Sequence, residues 1–183
     1  MFTAIRMTRK FSALSLAILS LLLPGRVQAA TALSGTAMTP VFSQAGAFSV
    51  LMPGQPATTV KAVKTAIGPI DAHSFLVETG GGAYAYMVVY NDYPTTPANP
   101  QRVLNAVRDG GVESVRGRVI SERAIALDGH PGKEVVIEAE DHVFINRMYI
   151  AGQRLYQVMF AMHKNASLPQ EVRVFFSSFR IHS

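Results

Sequence analysis

The stretch that decides the fold is Leu127–Met162, LDGHPGKEVVIEAEDHVFINRMYIAGQRLYQVMFAM. Asp128-Gly129 and Pro131-Gly132 punctuate its start, and both are turn dipeptides. Beyond them the chain reads as three consecutive antiparallel strands, Gly132–Ala139, His142–Ile150 and Arg154–Met162. If Glu140-Asp141 forms the first tight turn, Ala139 faces His142, Val136 faces Ile145 and Glu134 faces Arg147. If Gly152-Gln153 forms the second, Ala151 faces Arg154, Tyr149 faces Tyr156, Arg147 faces Val158 and Ile145 faces Phe160. A glycine at the first central position suits a type II′ hairpin turn. Both registers put Val143, Ile145 and Tyr149 on one face with Tyr156, Val158, Phe160 and Met162. A slip of one residue would send the whole set to the other side.

That other side carries Phe144, Met148, Ile150, Leu155, Met159 and Ala161, interrupted by Asn146 and Gln157. An antiparallel sheet with one wet face alternates apolar and polar side chains. This one mostly does not, so both faces are expected to be covered, and helices are the expected covers.

Working outward toward the N-terminus, Arg118–Leu127 is a strand that feeds the sheet. Asn99 is an N-cap with Pro100 at the first helical position. The helix runs through Val103, Leu104 and Val107 to Gly110-Gly111, with a further turn open over Val112–Arg116. Asn91–Asn99 is a proline-rich loop. Ala72–Glu78 and Ala83–Tyr90 form a hairpin across Gly80-Gly81-Gly82. A three-residue loop sets Val77 opposite Ala85, Phe75 opposite Met87 and Leu76 opposite Tyr86. Thr59–Ile67 reads as an edge strand before a turn at Gly68-Pro69, and Phe48–Met52 as a short strand stopped by Pro53-Gly54.

Toward the C-terminus, His163–Ala166 is a polar loop. Ser167 and Gln170 make a capping box with Pro169 in the first turn. The closing helix, Leu168–Ser177, buries Val172, Phe175, Phe176 and Phe179. The expected class is α+β, an antiparallel β-sheet covered by helices on both faces.

The chain has 183 residues and no cysteine. Residues 1–29 read as a secretory signal: Arg6, Arg9 and Lys10, then the apolar run Phe11–Leu23, a break at Pro24-Gly25, and the small-residue cleavage pattern Val27-Gln28-Ala29. The run is shorter than the roughly 20 residues a spanning helix needs. An uncleaved leader serving as an anchor is the alternative; without cysteine there is no lipobox, which excludes a lipoprotein anchor. Residues 30–46, rich in Thr, Ser, Gly and Ala, read as a flexible tether, and 47–183 as one α+β sandwich domain.

The leader holds four of the 17 basic residues and none of the 12 acidic ones. The remainder therefore carries about one net positive charge. That leaves no electrostatic footprint for nucleic acid and no basic cluster for a membrane surface. Export points to a periplasmic or secreted protein after cleavage near Ala29, with no stable membrane insertion.

Few residue groups suggest chemistry. Glu134 and Arg147 are expected cross-strand neighbours on an otherwise apolar face. The simpler reading is a half-buried ion pair that holds register. The functional reading is a ligand face in which Arg147, flanked by Tyr149 and Tyr156, offers a fork to an anion beside Glu134. Asp128, His130 and Glu134 could be read as metal ligands, but their spacing follows no rule and a loop histidine explains His130 equally. His73, His142, His163 and His182 look scattered, with no HExxH pattern. Glu138, Glu140 and Asp141 sit at a hairpin tip as solvated charge. Tyr84, Tyr86, Tyr90 and Tyr93 would line a groove or, more simply, pack the sheet under a helix. There is no GxSxG elbow, and Gly80–Gly82 lacks the helix and lysine of a phosphate loop.

An FSVxxPG opening at Phe48–Gly54, the LDGxPGKE turn at Leu127–Glu134, RxYxxGxRLYQ at Arg147–Gln157 and FFSSFRI at Phe175–Ile181 together resemble the Mog1/PsbP-like α/β/α sandwich proteins, in particular exported bacterial members of that fold. The resemblance implies a binding or assembly role without catalysis, and no metal ligand or cofactor carries over. The function expected is an exported, non-enzymatic binding or accessory module with a protein partner. The alternative is a small-ligand or metal-binding periplasmic protein, and an enzyme is the least supported reading.

Overall fold

The computed structural model describes residues 37–65 and 68–182. The expected leader lies outside the described residues, as do residues 30–36 of the expected tether. Among the described residues, ten strands and two α-helices follow in order: β1 (Thr39–Ser43), β2 (Phe48–Met52), β3 (Ala57–Thr65), β4 (Gly68–Thr79), β5 (Tyr84–Asp92), α1 (Pro100–Ser114), β6 (Arg118–Leu127), β7 (His130–Glu138), β8 (His142–Ala151), β9 (Arg154–His163), α2 (Glu171–Ser178) and β10 (Arg180–Ile181). They build two antiparallel sheets. The large one has the order β3-β4-β5-β9-β8-β7-β6 and the small one β1-β2-β10.

The register of the deciding stretch is the expected one. Val136 pairs with Ile145 and Glu134 with Arg147; Ala151 pairs with Arg154, Tyr149 with Tyr156 and Ile145 with Phe160. Gly152 has φ 59°, as a primed turn requires. Asp128 (φ 49°) and Gly129 (φ 83°) close the β6–β7 hairpin in the same way. Pro131-Gly132 is not a turn, however: β7 already begins at His130. Its ladder with β8 runs only as far as Gly132–Tyr149, one step short of Pro131, which has no N–H to give.

Four further expectations are corrected. Helices do not cover both faces of the sheet, so the α+β sandwich gives way to two packed antiparallel sheets with two short helices. One face of the large sheet is covered by the small sheet and α2. There Phe48, Val50 and Met52 of β2 and Val172, Phe175 and Phe176 of α2 meet Val77, Tyr86, Val88, Tyr90, Tyr149, Tyr156, Val158 and Phe160. The other face carries α1, whose Leu104 and Val107 pack on Val135, Ile137, Met148, Ile150 and Leu155. A separate cluster, Val63, Ala72, Met87 and Val89, lies on that second face toward β3. Apolar residues on both sides of a strand report that both are buried. They say nothing about whether the cover has period 2 or 3.6.

Second, the supposed tether contains β1, which pairs with β2 from Thr39–Met52 to Ser43–Phe48. Third, the β4–β5 hairpin is shifted by one. Val77 faces Tyr86, Leu76 faces Met87 and Phe75 faces Val88. Ala83 belongs to the loop, where its N–H donates to the Gly80 carbonyl at 3.3 Å, and Gly80, Gly81 and Gly82 all have positive φ. Fourth, the capping box at Ser167 and Gln170 does not form. The closing helix starts at Glu171, and the Gln170 side chain makes no capping bond. The Asn99 cap is present: its Oδ1 accepts from the Arg102 N–H at 3.0 Å, and α1 continues to Ser114.

Candidate functional site

Glu134, Arg147, Tyr149 and Tyr156 all lie on the face that the small sheet and α2 cover. Arg147 Nε sits 2.6 Å from Glu134 Oε2, and the other carboxylate oxygen takes Arg123 Nε at 2.7 Å. Burial pushes the Glu134 pKa up, but the bonds from Arg123 and Arg147 outweigh it and hold the group below the usual range. The Arg147 guanidinium lies 4.6 Å from the centre of the Phe176 ring of α2. Tyr149 stacks on Phe179, 6.1 Å between ring centres. The Tyr156 hydroxyl donates to the Gly46 carbonyl at 2.7 Å. Burial raises the pKa of both tyrosines. The four residues are therefore brought together, but under cover: an ion triad seats α2 and fixes three strands in register.

Arg123 was missed by sequence reasoning. Its signal was present, since a two-residue turn at Asp128-Gly129 pairs Leu127 with His130 and, four steps on, Arg123 with Glu134.

The second face has its own ion cluster. Arg108 of α1 binds Glu122 of β6 at 2.8 Å. Glu122 also accepts from the buried Lys133 ammonium, which reaches Asn105 of α1 at 2.6 Å. Bonds from Lys133 and Arg108 hold the Glu122 carboxyl below its usual pKa. The cluster ties α1 to β6 and β7.

A wide opening lies at the end of the large sheet where four chain segments converge. They are the residues after β5 (Asp92, Thr96), the β6–β7 turn (Asp128, His130), the β8–β9 turn (Ala151–Arg154) and the residues of and after β10 (Ile181, His182). They enclose an open groove of about 740 Å³ with Tyr156 in its wall. Arg154 makes that wall rigid. It forks onto Asp92 at 2.6 and 2.7 Å, donates to the Ala45 carbonyl at 2.9 Å and lies 4.7 Å from the Tyr90 ring centre. The Arg154 bond holds the Asp92 carboxyl low. His182 shares a hydrogen bond with the Ser49 hydroxyl at 2.9 Å.

Of the metal reading, Asp128 and His130 line this groove and Glu134 does not: four residues along β7 put it roughly 13 Å from His130, inside the Arg123–Arg147 triad. The tyrosines are also divided. Tyr86 meets Phe175 of α2 edge-on and Tyr90 lies beside Phe48, whereas Tyr93 packs with the α1 cluster. Burial pushes the Tyr86 and Tyr93 hydroxyls up to about 12. The histidines are less scattered than they look, because β8 and β9 bring His142 opposite His163. Among the described residues no group of three or more His, Asp or Glu gathers as a metal site, and no helix is long and apolar enough to cross a membrane. Compared with protein-family models and with curated proteins, the chain matches none.

Proposed function

We propose that the protein is an exported, non-enzymatic binding module that holds a polypeptide segment in the groove formed by Asp92, Thr96, Asp128, His130, Gln153 and His182. The observation that carries this reading is the convergence of four chain segments on one open groove whose wall is braced by the Arg154–Asp92 pair. Loops held by a stiff scaffold are where binding residues concentrate. Enclosed cavities suit small molecules; this groove is open, and its lining sets the polar groups of Asp92, Asp128, His130 and Gln153 within a larger apolar surface, where an extended segment would find both backbone partners and apolar contact. The leader-like residues 1–29 support export. The strongest ionic groups support binding over catalysis, since Glu134, Asp92 and Glu122 are each saturated by arginine or lysine.

The reading is tested by photo-crosslinking in the native cell. A crosslinker replacing Gln153 should give a discrete protein adduct, and one replacing Val119, at the far end of β6, should give none. Equal labelling from both positions, or none from Gln153, overturns it.

A further inference from the structure

At the end of the large sheet opposite the groove, His142 opens β8 and His163 closes β9, and the two are registered partners. In an antiparallel ladder every second pair lacks mutual hydrogen bonds and brings its side chains closest. Counting from the turn-closing pair Ala151–Arg154, His142–His163 is one of these. Their outward backbone groups agree: the His163 N–H donates to the Ala83 carbonyl at 3.3 Å, and the His142 carbonyl accepts from the Ala139 N–H at 2.9 Å. The two imidazoles are thus flanked across the strands by alanines, whose side chains end at Cβ. Their ring centres are 4.2 Å apart with the planes inclined at 36°, and Phe144 stacks on His142 at 5.9 Å.

We propose that His142 and His163 form a two-imidazole chelate for a late first-row divalent metal ion, copper(II) foremost. The spacing selects the geometry. With metal–nitrogen bonds of about 2.0 Å and ring centres about 1.1 Å behind the nitrogens, two imidazoles at 90° have centres roughly 4.4 Å apart, and at the tetrahedral angle roughly 5.1 Å. The observed 4.2 Å sits beside the right-angle value, which belongs to tetragonal copper(II) or nickel(II) rather than tetrahedral zinc. Copper(II) is also the tightest of the divalent series on nitrogen ligands. Glu138 registers with Val143 on the opposite face of the sheet and is engaged by Lys164 at 2.8 Å and Arg118 at 3.0 Å, while Asp141, in the turn before β8, is the acid whose charge acts on His142. With no third His, Asp or Glu gathered among the described residues, water completes the coordination, and the site is open rather than structural.

The test is titration of untagged protein with copper(II), read by calorimetry and pulsed EPR. One ion per chain should bind with the EPR signature of two equatorial imidazoles. His142→Gln and His163→Gln should each lower the affinity by about tenfold or more, while His130→Gln at the other end of the sheet should leave it unchanged. His163 is exposed, so its variant keeps the test decisive if His142→Gln perturbs folding. A single-imidazole signature, or unaltered affinity in the His163 variant, overturns the proposal. Neither result bears on the groove, which the crosslinking experiment reads separately.

Discussion

The two faces of the large sheet are sealed by different means. On the first, a second sheet and α2 press aromatic rings together. Phe48 alone meets Phe75, Tyr90, Tyr156 and Phe179 with ring centres 5.1 to 6.4 Å apart. On the second, α1 is held by a smaller aliphatic cluster and by the Arg108–Glu122–Lys133–Asn105 chain of ionic and polar bonds. The difference teaches that the first face is secured mainly by shape, with the Arg123–Glu134–Arg147 triad beside the ring cluster, and the second largely by charge. Shape responds to cavities, whereas charge responds to pH.

The sharpest way to break this contrast is to open a hole on each side. Phe48→Ala should cost about 4 kcal/mol and Leu104→Ala about 3 kcal/mol in denaturant unfolding. A reversed order would show that α1, not the small sheet, secures the core. The next largest effect is acid sensitivity. In the folded chain the Glu122 and Glu134 carboxyls are held below the usual carboxylate pKa by their lysine and arginine partners. The unfolded chain therefore takes up protons first as pH falls. Stability should be full above about pH 4.5 and decline below it. Glu122→Gln should flatten that decline, and α1 should be the first element to lose amide protection. If the acid limb is the same in wild type and variant, the ionic account of the second face fails. The smallest effect is at the helix start, where Asn99→Ala should cost about 1 kcal/mol by freeing the Arg102 N–H. Its loss should be confined to α1 in hydrogen exchange, with β2 and α2 unaffected.

How much was legible in the sequence depended on the turns. Gly152-Gln153 and Glu140-Asp141 leave two residues between strands, so they set every pair in β7, β8 and β9. Gly80–Gly82 can adopt many conformations, and the chain spends Ala83 in the loop as well. That one extra residue shifted the whole β4–β5 ladder. The small sheet over the first face was not legible, because β1 is five residues long in a stretch read as a tether, and β10 is two residues long and reaches β2 from far along the chain. The ion triad was half legible: Glu134–Arg147 followed from one turn, whereas Arg123 needed the other. The His142–His163 pair lay one step beyond the residues to which the same register was applied. The groove was illegible, since its four segments share no local pattern and meet only when the sheet is complete.

The small sheet joins residues 39–52 to Arg180 and Ile181 through Ser49 and Phe48. The Ser178 hydroxyl also accepts from the Leu51 N–H at 2.8 Å. The lid over the aromatic pile therefore needs both extremes of the described chain at once. A polypeptide emerging in order from a ribosome or a translocation channel can assemble its long hairpins early, yet cannot shut until residue 181 is free. Closure is then the slow, non-local step. Until it occurs, Tyr86, Phe160 and their neighbours remain open to water, a window in which a chaperone would find its grip.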